Sequence, residues 1–293
     1  MNYSIKNDHY TISVSSRGAE LSSIKTSDGT ELLWQNEPEC WNSHAPVLFP
    51  TCGKLKDAKY SYCGREYPMG GHGFASKSEF ELVCAEGNHI TMKLSSSEKT
   101  KEIYPFDFTV IADYELCGEE IKFTFTVKND GEEVLPYMFG WHPGFILPAG
   151  EGREINDYKL YFGDFEKLEW HPLQHGVFVC PEGRDYALKD GAYQLSEEEI
   201  YKNDTMIFLG HGNNVKLFAE GYPFMLSMSW SKNLPVLCIW KDTEPSARFI
   251  CIEPWSSSPN DGVCDENFET RKMARLPAGM SEEYSYTLNF KTK

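Results

Sequence analysis

Strict alternation of apolar and polar residues constrains the fold of this chain more than any other feature. Residues 121–127 read Ile-Lys-Phe-Thr-Phe-Thr-Val, and residues 284–290 read Tyr-Ser-Tyr-Thr-Leu-Asn-Phe. A period of two places every second side chain on the same face, so both segments predict half-buried β-strands. Further apolar segments also predict strands, some of them buried on both faces: 10–14, 80–84, 90–94, 108–116, 215–219, 224–230, 236–240 and 249–252.

Helical pattern is sparse in comparison. A serine followed by three glutamates predicts a short helix at 196–200, and residues 98–103 predict another. Ser-Asp-Gly at 27–29 and Asn-Asp-Gly at 129–131 predict hairpin-type connections. No internal repeat, low-complexity tract or linker divides the chain. The sequence therefore predicts an all-β protein, a single large antiparallel β-sandwich over residues 1–293 with few short helices.

Composition excludes several kinds of partner. A formal net charge of −16 without any basic run argues against nucleic acid. No segment approaches the roughly 18 apolar residues that a membrane span requires, and residues 1–6 lack the apolar stretch of a signal peptide. The nine cysteines include no C-x-x-C pair. We therefore expect reduced thiols and a cytoplasmic location.

Three titratable side chains are the main site candidates. Glu253 follows the apolar segment 249–252, where a carboxylate is costly to bury without a partner or a function. His72 lies between glycines, which predicts a tight turn that exposes the imidazole. His142 precedes Pro-Gly, where a strand must give way to a loop. One carboxylate and two imidazoles make a proton-transfer set, and this set points to sugar chemistry.

Each of these candidates also has a plain structural alternative. Glu253 could reach solvent at a strand end or pair with a cation. His72 could bond a backbone carbonyl on the surface, and His142 could be a satisfied core histidine. Trp255 could offer a platform for a sugar ring or could belong to the core. Spacings typical of metalloproteases, serine hydrolases and nucleotide-binding loops are absent, so we expect neither a metal nor an organic cofactor.

The order of five motifs resembles that of aldose 1-epimerases, and more narrowly that of the lactose-operon mutarotase-like branch. The resemblance extends over nearly the whole chain. It implies a large antiparallel β-sandwich with a sugar site on its concave face. The motifs are Phe-Pro-Thr-Cys-Gly-Lys-Leu-Lys-Asp at 49–57, His-Gly-Phe-Ala at 72–75, His-Pro-Gly-Phe at 142–145, Asn-Asp-Thr at 203–205 and Cys-Ile-Glu-Pro-Trp at 251–255.

The resemblance also implies roles for individual residues. Glu253 would act as general base and His142 as general acid in interconverting the α and β anomers of a hexose. His72 would meet the ring oxygen or a neighbouring hydroxyl, and Asp204 would hold sugar hydroxyls. The expected partner is a small-molecule sugar, and the expected assembly is a monomer or a homodimer.

Departures from the family pattern affect the choice of substrate. Lys54 stands where the family usually has arginine, so a point charge replaces a bidentate fork. Ser76, beside Lys77, stands where another arginine is usual. Trp141 precedes His142 where a small residue is common.

Three alternatives therefore stay open. One is a hexose-6-phosphate 1-epimerase whose phosphate meets Lys54, Lys56 or Lys77. Another is a non-catalytic carbohydrate-binding protein of the same fold. A glycoside hydrolase ranks lowest, because it would need two carboxylates beside the scissile bond.

Overall fold

The computed structural model describes residues 1–37, 39–149, 152–174, 178–244, 246–258 and 266–291. All ten segments that the sequence predicts as strands overlap strands of the structure. The strands are β1 (Asn2–Lys6), β2 (Tyr10–Ser15), β3 (Leu21–Thr26), β4 (Val47–Leu48), β5 (Lys59–Tyr62), β6 (Arg65–Pro68), β7 (Glu81–Glu86), β8 (His89–Ser95), β9 (Phe108–Cys117), β10 (Glu120–Asn129), β11 (Leu135–Tyr137), β12 (Gly140–Trp141), β13 (Gly144–Ile146), β14 (Tyr158–Tyr161), β15 (Lys167–Trp170), β16 (Leu173–Gln174), β17 (Phe178–Val179), β18 (Arg184–Ala187), β19 (Ala192–Gln194), β20 (Met206–Leu209), β21 (Asn214–Ala219), β22 (Met225–Trp230), β23 (Val236–Trp240), β24 (Phe249–Trp255), β25 (Ala274–Leu276) and β26 (Ser281–Lys291).

Both predicted helices are confirmed, as α1 (Glu98–Lys101) and α2 (Glu197–Asn203). Each begins after a serine whose hydroxyl accepts a backbone N–H of the first turn, which satisfies a donor that the helix itself cannot. No helix of the described residues is long and apolar enough to cross a membrane. Single 3₁₀ turns occupy Lys56–Ala58, Ala75–Lys77 and Ile155–Asp157.

Two large antiparallel sheets confirm the predicted all-β sandwich. The nine-stranded sheet has the order β19-β14-β21-β22-β26-β10-β9-β8-β7, which places the last strand of the chain in its middle. The eight-stranded sheet has the order β18-β15-β20-β23-β24-β12-β4, with β13 also paired to β24. Smaller sheets, β1-β2-β3 among them, complete the described chain.

Aromatic rings fill the core between the two large sheets. Trp141 of β12 lies 4.9 Å from Phe123 and 5.3 Å from Tyr286, measured between ring centroids, and both partners belong to the nine-stranded sheet. Phe139 similarly contacts Phe125 at 5.3 Å. Trp141 thus faces the core, so its bulk does not enter any site on the opposite face of its sheet.

Strand β24 is buried along its whole length. Ile250 and Ile252 face the main core, whereas Cys251 and Trp255 belong to smaller apolar clusters on the other face. Burial on both faces explains why this strand shows no alternation in sequence. The apolar segment 249–252 suggested a strand that ends before Glu253. The strand continues through Trp255 instead, so Glu253 lies inside it.

The two predicted turns differ in outcome. At 27–29 the chain does turn tightly, and the N–H of Thr26 donates to the carbonyl of Thr30 at 3.0 Å. At 129–131 the hairpin prediction is wrong, because β10 pairs with β9 and β26 while β11 pairs with β25. The buried Asn129 side chain fixes the path of the chain as it leaves β10 and continues into β11. It donates to the carbonyls of Glu133 and Leu276 at 2.7 and 2.8 Å and accepts the N–H of Gly131 at 2.9 Å.

We predict that Asn129→Ala lowers the free energy of unfolding by about 2–4 kcal/mol, because it leaves two carbonyls and one N–H without partners. Urea denaturation followed by circular dichroism measures the change. Asn289→Ala is the control, since the exposed Asn289 amide donates one bond, to Glu119. Equal losses in the two variants would contradict the structural role of Asn129.

Candidate active site

The register of β24 with its neighbours brings the two main candidates together. Gly140 pairs with Trp255, and Gly144 pairs with Cys251. Between these pairs the antiparallel register sets His142 across from Glu253, although the two are far apart in sequence. Residues that oppose each other on one face of such a pair have adjacent side chains. The pair points to the face of the sheet away from the main core.

The two side chains are close, buried and poorly satisfied. Nε2 of His142 lies 3.2 Å from Oε2 of Glu253, and their residues are 7% and 1% exposed. The two groups are not aligned as a hydrogen bond, and Glu253 Oε2 and His142 Nδ1 have no hydrogen-bond partner among the described residues. Buried polar atoms without partners are rare and are costly in isolation. They therefore mark a place where a ligand would supply the missing bonds.

Burial controls the proton affinities of this pair. It raises the pKa of the Glu253 carboxyl well above its ordinary value, and the nearby indole N–H of Trp255 offsets only part of that rise. Burial likewise lowers the pKa of His142 well below its ordinary value, with a further contribution from His72. These directions favour a protonated carboxyl beside a neutral imidazole. That state holds as many protons as a carboxylate beside an imidazolium.

Two glycines allow aromatic rings to lie over the strand on either side of His142. A Cβ on Gly144 would sit 2.7 Å from Cζ3 of Trp41, and a Cβ on Gly140 would overlap the ring of Trp255. Trp41 consequently stacks on the His142 imidazole, with ring centroids 4.9 Å apart and planes inclined by 28°. Glycine at these positions is required by close approach and not by an unusual backbone angle.

His72 approaches the pair from a separate loop. Its φ of 62° confirms the predicted tight turn, but the imidazole is half-buried and its ring lies 5.3 Å from that of His142. The Nδ1 of His72 accepts the N–H of Gly53 at 3.2 Å, so the neutral ring carries its hydrogen on Nε2. Burial, followed by the charges of Lys54 and Lys77, lowers the pKa of His72 to about 4. At neutral pH this imidazole is therefore an uncharged hydrogen-bond donor.

These side chains line a cavity of about 260 Å³. The structure brings all six sequence candidates to it: Lys54, His72, His142, Asp204, Glu253 and Trp255. Its size is close to the lower end of the range for small-molecule sites, about 300–1,000 Å³, which suits a ligand as small as a monosaccharide. The lining also includes residues that were not site candidates: Gly53 and Thr205 from two of the motifs, and Trp41, Leu173, Ile207 and Trp240 from outside them.

The aromatic wall of the cavity differs from the one that the sequence suggested. Trp255 is only 4% exposed and packs in an apolar cluster with Cys52. Trp41 and Trp240 are less buried and both contact the ring of His142, Trp240 edge-on at 5.5 Å. No local signal distinguishes these two tryptophans from core residues. Only the packing of a loop and of β23 against β24 brings them to the cavity.

The exposed polar candidates lie on loops. Asp204 follows α2 with a φ of 63°, and its exposed carboxylate forms no ion pair with a described residue. Lys54 and Lys77 are also exposed, and their ammonium groups form no ion pair with a described residue. Ser76, where the family usually has arginine, does not line the cavity. The cavity thus has a buried carboxyl and a buried imidazole at its floor and charged groups on its loops.

Three buried cysteines surround the Glu253 carboxyl. Burial first, and the carboxyl second, raise the pKa values of Cys52, Cys238 and Cys251, so all three are neutral thiols. Ligand atoms of Cys251, His142 and Glu253 lie within 4.8 Å of one another. The sequence did not predict this cluster, because its members come together only through the pairing of two strands.

Comparison with known proteins gives consistent relationships. The sequence matches the aldose 1-epimerase family over residues 1–273. It is 32% identical to the plasmid-encoded protein LacX of Lactococcus lactis over 269 residues, which cover 87% of this chain and 88% of the relative.

Solved structures have the same fold. A galactose mutarotase related enzyme from Lactobacillus acidophilus superimposes with a TM-score of 0.92 at 29% identity, and all of both chains is covered. A galactose mutarotase-like protein from Lactobacillus casei gives 0.86 at 23% identity, with 99% of this chain and 100% of the other covered. At 23% identity, the similarity to the Lactobacillus casei protein shows only that the two chains share a fold.

We predict that Lys54→Met raises the pKa of His72 from about 4, because it removes one of the two positive charges that disfavour the imidazolium. An NMR titration of the histidine ring signals measures it. Lys56→Met, which removes a neighbouring lysine that has no part in this shift, is the control. A pKa that stays unchanged or falls in Lys54→Met would contradict the assigned cause.

Proposed function

Because the chain belongs to the aldose 1-epimerase family, we propose that it interconverts the α and β anomers of a hexose by general acid–base ring opening. Glu253 and His142 are the proposed proton-transfer pair. One observation carries the proposal. The two groups lie 3.2 Å apart at the floor of a cavity of monosaccharide size, and each has an atom without a hydrogen-bond partner in the described part of the chain.

The reaction requires two proton transfers at neighbouring oxygens. The anomeric hydroxyl loses its proton to Glu253 in its carboxylate form, while the ring oxygen gains a proton from His142 in its imidazolium form. The bond between C1 and the ring oxygen then breaks, and the C1 carbonyl of the open aldehyde forms. Rotation about C1–C2 exposes the other carbonyl face, and reclosure reverses both transfers. No covalent enzyme intermediate is needed.

The electrostatics of the pair support this scheme. Both oxygens are bonded to C1, so two adjacent side chains can contact them at the same time. In the state that burial favours, the carboxyl of Glu253 is protonated and the imidazole of His142 is neutral. The catalytic state, a carboxylate beside an imidazolium, has the same total number of protons. A sugar that hydrogen-bonds to both groups compensates the cost of separating charge in a buried site. No net proton exchange with solvent is therefore required.

The other cavity residues are proposed to bind the sugar. His72, neutral with its hydrogen on Nε2, donates to the ring oxygen or to a neighbouring hydroxyl. Asp204 and Lys54 bind hydroxyls from the loops. Trp41 and Trp240 offer apolar ring surface to the C–H faces of the sugar, and Trp255 closes the wall behind Glu253.

We predict that Glu253→Gln lowers the initial rate of catalysed mutarotation by about 10²–10⁴-fold, because the amide keeps the shape but cannot take the proton. Polarimetry on freshly dissolved α-glucose and α-galactose measures the rate. Glu244→Gln, an exposed change of the same chemistry, is the control. A normal rate in Glu253→Gln would exclude the proposed base, while His142→Asn should show a comparable loss with the sugar still bound.

A second candidate is a sugar phosphate as the substrate of the same reaction. Two exposed lysines without ion pairs to described residues, Lys54 and Lys77, lie close enough to His72 to lower its pKa, in a chain whose net charge is −16. A local positive field of this kind favours an anionic substituent.

Initial rates on glucose, galactose and glucose 6-phosphate separate the two substrates. If the phosphate is the substrate, we expect Lys77→Met to reduce kcat/KM for it selectively and to affect free hexoses little, because Lys77 does not line the cavity. Lys54→Met should reduce kcat/KM for both substrates, and more for the phosphate, because Lys54 is also proposed to bind hydroxyls. Sugar binding by calorimetry without any rate enhancement would favour a non-catalytic sugar-binding protein. That result would contradict both epimerase proposals.

A further inference from the structure

We infer that the cavity floor also forms a binding site for a zinc-type divalent cation, held by His142, Cys251 and Glu253. The site does not depend on epimerase activity, because it follows from the donor atoms alone. Cys251 has no part in the proposed ring opening. It nevertheless lies on the same face of β24 as Glu253, two residues away, and pairs across the strands with Gly144.

The geometry is close to that of a tetrahedral centre. With zinc–sulfur and zinc–nitrogen bonds of about 2.3 and 2.0–2.1 Å, ligand atoms lie about 3.3–3.6 Å apart. The 3.2 Å between His142 Nε2 and Glu253 Oε2 already approaches this separation. The three ligand atoms lie within 4.8 Å of one another, so the thiol needs to move by roughly 1 Å. A rotation of its side chain supplies such a shift.

A missing hydrogen bond points to a ligand at this place. Glu253 Oε2, one of the proposed ligand atoms, is buried without a partner among the described residues. The pair at 3.2 Å is not aligned as a hydrogen bond, so its contact geometry suits two ligands of one ion better than a donor and an acceptor. These are observations on the carboxyl and the imidazole, and they are independent of the thiol.

Charge and donor type select the class of cation. Thiolate, imidazole and carboxylate together suit zinc-type ions, whereas magnesium and calcium prefer oxygen ligands alone. On binding, the thiol of Cys251 and the carboxyl of Glu253 each release a proton to solvent. Two negative ligands then neutralise the two positive charges of the ion, so the buried centre carries no net charge. Three protein ligands leave a fourth position toward the cavity, open to water.

The proposed metal site shares two groups with the proposed reaction. An ion held there would occupy both Glu253 and His142, so a metal-bound molecule would not transfer protons to and from a sugar. Zinc would therefore inhibit mutarotation by about 10²-fold or more at saturation, since general acid–base catalysis contributes at least that factor. A sugar and the ion would compete for the same floor of the cavity.

Cobalt(II) titration of the purified, metal-stripped full-length protein tests the binding without any reference to activity. Thiolate coordination gives a near-ultraviolet charge-transfer band, which should appear stoichiometrically in the wild type and should be displaced by zinc. Cys251→Ser should lose the band. Cys238→Ser is the matched control and should retain it, because Cys238 is buried and pairs with Glu253 from the other side but does not belong to the cluster.

Several outcomes would overturn the inference. They are the absence of the band in the wild type, its persistence in Cys251→Ser, and its loss in Cys238→Ser when thermal unfolding shows that variant to be folded. If Cys251→Ser fails to fold, His142→Asn supplies the second test, because it should weaken cobalt binding while keeping the thiol. Failure of the proposed epimerase function is a separate result, seen as an inactive wild type that still gives the cobalt band.

Discussion

The position of Glu253 across from His142 is the arrangement on which the rest of the site depends. It follows from the register of one antiparallel pairing, in which Gly140 meets Trp255 and Gly144 meets Cys251. A slip of one residue would turn these side chains to opposite faces of the sheet. The large aromatic core protects the register, because Trp141 fits between rings of the other sheet only when its neighbour His142 faces the cavity.

Around that pair, packing and electrostatics act together. The glycines on either side of His142 admit Trp41 and Trp255, and these rings, with three neutral thiols, make the surroundings weakly polar. Such surroundings disfavour charge, so the carboxyl keeps its proton and the imidazole stays neutral until a ligand arrives. The loops add the opposite property, because Lys54, Lys77 and Asp204 are exposed and form no ion pair within the described residues. Under the proposed function, proton transfer at the floor and recognition of the sugar by the loops would therefore be separated within one cavity.

Much of this could be predicted from the sequence, because the signals were local. Alternation predicted the strands of the sandwich, and five ordered motifs led to six residues that line one cavity. Strand β24 was harder, because burial on both faces removes the alternation that would have placed Glu253 inside the strand. Asn129 resembled a hairpin residue, since its sequence does not reveal that its amide reaches Leu276.

The residues that sequence reasoning missed all depend on contacts between distant segments. Trp41 belongs to an irregular loop, and its sequence gives no reason to place it on His142. Cys251 looked like one apolar residue among several in a buried strand. Its relation to the imidazole depends on which strand pairs with β24 and in what register. Composition and spacing do not contain that information.

The place of β26 in the nine-stranded sheet has a consequence for biosynthesis. This strand, which ends at Lys291, lies between β22 and β10 and pairs with both along most of its length. A ribosome releases the chain from its N-terminal end, so both β10 and β22 emerge before the strand that joins them, β10 well before it. Until then each of the two has an open edge and unpaired backbone groups. The nine-stranded sheet can therefore close only after residues 281–291 have been synthesised, and until then these open edges expose the nascent chain to aggregation.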